Sequence, residues 1–316
     1  MLQVLMTDST IKGIKRFFFR LILISFIIFL CDFCIGTILK FFYFRQSSGL
    51  LYRATYAIDS TKADILVFGS SRASHHYVPE QFTKIFKKSF YNTGRDGNFI
   101  LYNLAIFNAI IKRYYPDMVI FDIRQDEFYK NVIRYDRLSS LLPYCKSHSE
   151  IQTIVRLKSP FEEIKLFSQI YPFNSLVLSI AIGNLEINKK RKPDHFGYVP
   201  IKKTMSFFSI HELRRKETST DFDLNALSAI NDIIYKCKKN NIKLIFVNSP
   251  MYVMQKDDLS YIQLKKIFEK NNINFYNFAN HNIFVKDPTL FADPSHLNDG
   301  GAKLFSQLIS DSIRNN

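Results

Sequence analysis

The stretch that decides the fold reads D-I-L-V-F-G-S-S-R, from Asp64 to Arg72. Its apolar run, Ile65–Phe68, ends abruptly at Gly69, and two serines and an arginine follow. This pattern is typical of a buried parallel strand that stops at the carboxyl edge of a sheet, where open α/β sheets bind ligands. Because glycine permits a sharp turn, we expect Ser71 to lie at the lip of that sheet.

Strands and helices alternate along most of the chain that follows. Apolar runs predict further strands at residues 89–92, 117–123, 243–247 and 273–278. Helical spacing of apolar residues predicts helices at residues 79–88, 99–114, 223–239, 258–270 and 300–313. Repeated βα units of this kind predict an α/β fold, with a parallel sheet covered by helices on both faces.

Residues 129–220 fit this alternation badly, and we interpret them as an insertion after the third strand. An insertion at the carboxyl edge could form a lid or a substrate cradle beside the site. The alternative is an ordinary helical excursion, and the sequence leaves both open. Within it, Gly197-Tyr198-Val199-Pro200 has the composition of a turn.

The N-terminal region contains a long apolar run, Leu21–Leu39, in which Asp32 is the only charge. A run of this length crosses a hydrocarbon core of roughly 30 Å, and it lacks the cleavage pattern of a secretory signal. Basic residues before it favour a cytoplasmic N-terminus, although Lys40 and Arg45 on the other flank reduce that bias. We therefore predict a cytoplasmic segment at 1–20, a single-pass anchor in the cytoplasmic membrane at 21–39, a linker at 40–62 and an extracytoplasmic domain at 63–316.

The composition narrows the classes of partner. The formal net charge is +15, from 43 Lys and Arg against 28 Asp and Glu, and such a balance suits nucleic acid, an anionic membrane or an acidic glycan. Since no zinc spacing or RNA-binding signature occurs, we expect no nucleic acid partner. The four cysteines have no repeating spacing, so we expect no metal site, no disulfide framework and no cofactor. A Cys145–Cys237 bridge is the one pairing open to the globular domain.

Ser71 and the sequence Asp293-Pro294-Ser295-His296 are the two pieces that can carry chemistry. A serine hydroxyl is a poor nucleophile until an adjacent base removes its proton. An aspartate three residues before a histidine can orient its imidazole and stabilise the charged form. Alone, a serine after a strand is more often a turn residue, and an isolated D-x-x-H is more often a surface loop.

Taken together, these two blocks resemble a known family. Gly69-Ser70-Ser71-Arg72 looks like the nucleophile block of the SGNH (GDSL-like) hydrolases, and residues 293–298, D-P-S-H-L-N, look like their D-x-x-H block. The resemblance covers Ala63 to the end without the insertion. It is strongest for membrane-anchored bacterial members with a G-S-S-R block, several of which are tied to acylation of cell-envelope glycans. It implies a flavodoxin-like three-layer α/β/α sandwich in which Ser71 is the nucleophile, His296 the base and Asp293 its orienter.

The resemblance also implies two donors to an oxyanion. One is a glycine after the second strand, for which Gly97 is the first candidate and Gly94 the second. The other is an asparagine beyond the third strand, but Asp126 stands at that position here. Because an ionised carboxylate accepts hydrogen bonds and repels an oxyanion, three alternatives remain: Asp126 is protonated, Gln125 donates instead, or Arg124 supplies positive charge.

Charged and titratable residues also follow the nucleophile directly. Arg72 could bind an anionic group of the substrate, and the role that we favour is an ion pair with Asp122 or Asp126. His75 and His76 are adjacent, so their side chains diverge and form a poor metal site. We interpret both histidines as loop residues.

These observations predict a membrane-anchored serine esterase or O-acyltransferase. Its substrate would be an acyl ester, with acetyl as the first expectation, of a cell-surface or cell-wall glycan, and the acceptor would be water or a sugar hydroxyl. Two other classes remain open. One is a catalytically degenerate relative that binds glycan or a membrane acyltransferase partner, as the change to Asp126 suggests. The other is a structural envelope protein whose basic surface binds anionic lipid or glycan.

Overall fold

The computed structural model describes residues 8–185, 195–206, 221–253, 255 and 257–315. Its central sheet has five strands: β1 Ile65–Phe68, β2 Phe90–Asn92, β3 Met118–Asp122, β4 Lys243–Asn248 and β5 Asn274–Asn277. All pair in parallel, in the order β2-β1-β3-β4-β5. This is the flavodoxin-like order of a doubly wound sheet, so the predicted fold class is confirmed.

Helices surround this sheet, and a short antiparallel hairpin follows it. The hairpin consists of β6 Phe291–Asp293 and β7 His296–Leu297. The helices are α1 Asp8–Phe44, α2 Gly49–Asp59, α3 Ser71–His76, α4 Pro79–Phe86, α5 Ile100–Ile111, α6 Val132–Asp136, α7 Ser149–Val155, α8 Glu162–Lys165, α9 Val177–Gly183, α10 Leu224–Lys239, α11 Leu259–Asn271, α12 Asn282–Val285 and α13 Asp299–Arg314.

The buried strands supply side chains to a separate core on each face of the sheet. In β1, Leu66 and Phe68 join the core under α2, α5, α10 and α11, whereas Ile65 and Val67 join the core under α3, α4 and α13. This alternation follows from the two-residue period of a strand. Phe68 stacks on Phe121 of β3 with ring centroids 4.7 Å apart, so aromatic contacts tie neighbouring strands together.

The segment predicted to be a linker is instead part of the folded domain. Helix α1 continues to Phe44, and α2 follows within residues 46–62. Four side chains of α2 are buried against the core: Leu51, Ala54, Ala57 and Ile58. They recur at helical spacing, which the linker interpretation overlooked.

The insertion is mainly helical over residues 129–185, whereas residues 195–206 form a turn followed by non-helical chain. Residues 129–185 pack against α5 and α1, while residues 195–206 run beside α3, with Gly197 in the predicted turn at a φ of +83°. The remaining positions, 186–194 and 207–220, lie outside the described residues. Cys145 in this region and Cys237 on α10 are both buried free thiols, so the bridge between them is not formed.

Helix α1 is the one described helix long and apolar enough to cross a membrane. Over Ile11–Phe44 its most apolar window has a mean hydropathy of 2.6. Its large side chains point outward on all sides along most of this length. The predicted apolar run is therefore confirmed as a continuous helix.

Candidate active site

Ser71 is the first residue of α3, immediately after the turn that ends β1. Gly69 makes this turn possible, because its φ is +153° and a Cβ there would approach the Ala73 Cβ and the Asp122 carbonyl oxygen to 2.7 Å. As the first helical residue, Ser71 has a backbone N–H without an intrahelical acceptor. The turn thus presents both the hydroxyl and the N–H of Ser71 at the carboxyl edge of the sheet.

Asp293 and His296 occupy the two strands of the β6–β7 hairpin. The Oδ1 atom of Asp293 accepts hydrogen bonds from the backbone N–H groups of Ser295, at 2.9 Å, and His296, at 3.1 Å. These bonds close the turn around the carboxylate and fix the position of the histidine relative to it. The hairpin places the imidazole beside the N-terminus of α3.

The three predicted side chains form one chain of hydrogen bonds. His296 Nε2 lies 2.7 Å from Ser71 Oγ, and His296 Nδ1 lies 2.9 and 3.0 Å from the two carboxylate oxygens of Asp293. A carboxylate only accepts hydrogen bonds, so the ring proton is on Nδ1 and Nε2 is free to accept the serine proton. Burial favours protonated Asp293, but the bonds from His296 outweigh it and hold the pKa of this carboxyl below its usual range.

The loop after β2 is tied to the serine turn and carries Gly97. Thr93 N–H donates to the carbonyl of Val67 at 2.8 Å, and Arg95 N–H donates to the carbonyl of Gly69 at 3.1 Å. Gly97 has a φ of +70°, and within the described part of the chain its own N–H has no hydrogen-bond partner. This N–H is therefore available to a ligand.

Gly94, the second candidate for an oxyanion donor, has a packing role instead. Its N–H donates to the side-chain Oδ1 of Asn92 at 2.9 Å. A Cβ at this position would lie 2.5 Å from the backbone nitrogen of Ser74. Glycine is needed here so that the loop can lie against α3, and its N–H is already engaged.

Asp126 is held as a carboxylate by two arginines. Arg124 binds it through Nε and a terminal nitrogen at 2.8 and 2.9 Å, and Arg134 approaches to 3.5 Å. Although burial favours the neutral acid, the Arg124 charge and hydrogen bonds keep the pKa of Asp126 below its usual value. The alternative with protonated Asp126 is therefore wrong. Gln125 is buried, and its backbone carbonyl accepts a hydrogen bond from Ser260 Oγ.

Arg72 lies beneath the site, where both it and Asp122 have side chains only 1% exposed. Its guanidinium is 2.9 Å from the Asp122 carboxylate and donates to the Ile123 carbonyl, the Asn248 side chain and the Ser249 carbonyl. Of the two roles considered, the ion pair with Asp122 is confirmed. The substrate-binding role is contradicted, because these partners bury the charge between β1, β3 and β4.

The two histidines lie on α3 and not in a loop. His75 Nδ1 donates to the Val199 carbonyl at 2.7 Å, which attaches residues 195–206 to the helix. His76 is fully buried, and its Nε2 accepts a hydrogen bond from the backbone N–H of Leu297, next to His296. Burial, followed by the nearby His296 and Arg72, lowers the pKa of His76 well below its usual value. His76 thus supports the hairpin as a neutral ring, a role that sequence reasoning missed.

The comparisons with known proteins are distant. No protein-family model matches the chain. The chain is similar to a 3-dehydroquinate dehydratase of Buchnera aphidicola subsp. Cinara cedri (strain Cc), at 26% identity over 111 residues, which is 35% of this chain and 70% of that protein. Among solved structures it is similar to a proposed acylhydrolase of Bacteroides fragilis NCTC 9343, with a TM-score of 0.41, 11% identity and coverage of 86% of this chain and 99% of that one.

A second solved structure, a gut microbial diltiazem-metabolizing enzyme, has a TM-score of 0.37 and 11% identity to this chain. The similarity covers 79% of this chain but only 46% of that enzyme. Sequence identities this low do not assign a family, and the site's own geometry therefore has to carry the functional interpretation.

Proposed function

We propose that this protein is a serine hydrolase of the SGNH-like kind, either an esterase or an O-acyltransferase. The observation that carries the proposal is the chain of hydrogen bonds from Ser71 through His296 to Asp293. A hydroxyl, a base and an orienting carboxylate within hydrogen-bond distance are the parts that nucleophilic acyl transfer needs. They come from two blocks of the sequence that are far apart, since Ser71 and His296 are separated by 225 positions.

The proposed reaction passes through an acyl-enzyme. Ser71 Oγ attacks the acyl carbonyl carbon while His296 Nε2 takes the hydroxyl proton. The tetrahedral intermediate then collapses as His296 gives this proton to the departing alcohol oxygen, which leaves the acyl group on Ser71. Water or a sugar hydroxyl attacks next, with His296 again as the base, and Ser71 regains its proton.

The negative charge of the tetrahedral intermediate would be stabilised by backbone N–H groups. The N–H of Ser71 lacks an intrahelical acceptor, and that of Gly97 has no partner among the described residues. At the position where the resemblance implies a third donor, an asparagine, this chain has Asp126, an ion-paired carboxylate. Losing one such donor typically lowers turnover by about 10²–10³-fold, so we expect a slow enzyme.

For the substrate, we propose an acyl ester of a cell-surface or cell-wall glycan, met outside the cytoplasmic membrane. Helix α1 supports a membrane location through its length and apolar surface, and the net charge of +15 suits anionic polymers. The ion-paired Asp126 favours one competing proposal, a degenerate relative that binds glycan or a membrane acyltransferase without turnover.

The test is hydrolysis of an activated acetyl ester by the full-length protein in detergent. We expect measurable turnover that is abolished in Ser71→Ala and His296→Ala. The matched control is Ser70→Ala, because Ser70 precedes α3 without a side-chain capping bond and its loss should leave turnover unchanged. A folded wild-type protein with no turnover above its Ser71→Ala variant would instead support the binding proposal.

A further inference from the structure

The single charge inside the apolar run of α1 is bound by the insertion. Asp32 accepts hydrogen bonds from the Ser168 hydroxyl at 2.5 Å, the Gln169 N–H at 2.6 Å and the Ile170 N–H at 3.3 Å. One turn further along α1, Gly36 packs so closely that a Cβ would lie 2.4 Å from Gln169. The insertion therefore touches α1 within the run predicted to cross the membrane.

A second contact shows how far the insertion follows α1. The side-chain amide of Asn184 donates to the carbonyl of Phe42 at 2.9 Å. Asp32 and Phe42 are ten residues apart on a continuous helix, which corresponds to about 15 Å at 1.5 Å per residue. Residues between Ser168 and Asn184 thus lie along the C-terminal half of the apolar run and continue past its end at Leu39.

The outer side of this part of the insertion exposes apolar side chains and no charged ones over residues 166–185, which we call the α1-bound segment. The exposed charges of Glu163 and Lys165 lie just before it. Phe167 is 82% exposed and Leu178 is 72% exposed, and Phe167 directly precedes the residues that bind Asp32. The other large exposed apolar side chains of the segment are Val177, Ile182 and Leu185. Apolar surface this extensive marks an interaction site in a soluble environment.

Positive charge lies toward the end of the apolar run. A cleft of about 500 Å³ between α1 and the insertion is lined by apolar side chains, among them Phe33 and Phe173, and by Lys40 and Lys146. Lys146 Nζ also donates to the Gln169 side chain at 2.7 Å. Lys40 lies eight residues beyond Asp32 on α1, where a long side chain can extend toward anionic headgroups, whereas Lys146 places positive charge near Asp32 itself.

We propose that the α1-bound segment is embedded in the lipid bilayer, with Phe167 and Leu178 among the acyl chains. This inference rests on the proposed membrane anchoring by α1. If the apolar run of α1 spans the hydrocarbon, then the residues that bind Asp32 are at the same depth as Asp32. The hydrogen bonds from residues 168–170 satisfy a carboxylate that lipid would leave without donors.

The embedding would also fix the orientation of the candidate active site. Tyr43, in the last turn of α1, donates to the Tyr144 hydroxyl at 3.0 Å and interacts electrostatically with Arg95. Arg95 belongs to the same loop as Gly97, and its N–H is bonded to Gly69 beside the serine turn. A domain held by both α1 and the α1-bound segment cannot rotate freely about a single tether.

The experiment measures fluorophore depth in liposomes that contain the full-length protein. The exposed Cys31 and Cys34 are first replaced by alanine, while Cys145 and Cys237 are kept because they are buried. One accessible cysteine per variant is then introduced, as Phe167→Cys, Leu178→Cys, Ile24→Cys or Tyr235→Cys. Ile24 on α1 reports insertion of the anchor. Tyr235 is the matched aqueous control, because it is 61% exposed. It lies near the C-terminal end of α10, which leads into the amino end of β4 and not the carboxyl edge of the sheet. Each fluorophore is challenged with doxyl-labelled lipid and with aqueous iodide.

We expect lipid quenching at positions 167 and 178 comparable to that at 24, and iodide quenching alone at 235. Iodide quenching at 167 and 178 with lipid quenching at 24 would overturn the proposal while α1 remains an anchor. Protection from both quenchers would also overturn it, because a protein would then cover the surface. Lipid quenching absent at 24 would contradict the membrane anchoring itself. Adding Ser71→Ala should leave every result unchanged, which separates this test from that of catalysis.

Discussion

The carboxyl edge of the sheet and the junction at α1 each use a carboxylate to join distant parts of the chain. At the edge, Asp293 binds an imidazole whose other nitrogen faces a half-buried serine hydroxyl, so the chain of hydrogen bonds ends at a group that a substrate can reach. At the junction, Asp32 is bound by Ser168 and by backbone N–H groups of the insertion, and Ser168 Oγ in turn accepts the N–H of Tyr171 in the same segment. The first carboxylate is arranged to move a proton, and the second to hold two segments together.

The sharpest way to test this difference is Asp293→Asn. The amide would donate toward His296 Nδ1, which forces the ring proton onto Nε2 and removes the acceptor for the Ser71 proton. We expect ester turnover to fall by about 10⁴-fold, with little change in the melting temperature. Asp287→Asn, on the exposed loop before β6, is the control and should keep full turnover. Equal losses in both variants would show that the carboxylate has no special role.

Gly94→Ala tests whether the loop at the carboxyl edge of the sheet depends on close packing. The added methyl would lie 2.5 Å from the Ser74 nitrogen, and overpacking of this kind costs about 1–3 kcal/mol. Thermal unfolding in detergent should show a lower melting temperature than in Gly300→Ala, where the nearest atom is 3.4 Å away. Equal melting temperatures would contradict the tight packing between this loop and α3.

Asp32→Leu tests the junction in the same way. The substitution leaves the N–H groups of Gln169 and Ile170 without their acceptor, a loss of about 1–3 kcal/mol, which is roughly tenfold to a hundredfold in local opening. Hydrogen exchange should therefore become faster at these two amides, while ester turnover stays unchanged. Thr37→Ala, which removes a hydroxyl bonded only within α1, is the control. Unchanged exchange at residues 169 and 170 would contradict the role given to Asp32.

His76→Gln tests a smaller effect that depends on pH. The pKa of His76 is lowered in the folded state, so its contribution to stability is present above the unfolded pKa of about 6.5 and is lost as the pH falls. As the pH falls below that value, the parent protein loses up to about 1.4 kcal/mol of folding stability per pH unit through this group. We expect the stability difference between parent and variant to shrink from pH 7 to pH 5. Parallel pH profiles of the two melting temperatures would contradict a buried neutral His76.

The side chains at the carboxyl edge of the sheet were more predictable from sequence than the contacts at the junction with α1. Gly69 and Ser71 follow a short apolar strand, and Asp293 and His296 are three residues apart, so local patterns indicated both pieces. Their contact was expected only from the family resemblance, because Asp293 and His296 lie on the β6–β7 hairpin, outside the parallel sheet. The hydrogen bond between His296 and Ser71 agrees with that expectation.

Other features depend on contacts that no local pattern encodes. The partners of Arg72 come from β3 and β4, so the choice between an ion pair and a substrate contact required the assembled sheet. His76 supports the hairpin through Leu297 at the other end of the chain. Asp32 looked like a lone charge in an apolar run, and its partners lie in an insertion without recognisable periodicity. Only the periodicity of α2 was readable and overlooked.

Mass spectrometry of the full-length protein after reaction with a fluorophosphonate probe tests most directly whether Ser71 is an activated nucleophile. We expect a phosphonyl adduct on Ser71 that is absent in Ser71→Ala, strongly reduced in His296→Ala and unchanged in Ser70→Ala. A folded wild-type protein that forms no adduct, or an adduct on another serine that persists when Ser71 is replaced, would contradict the role proposed for Ser71.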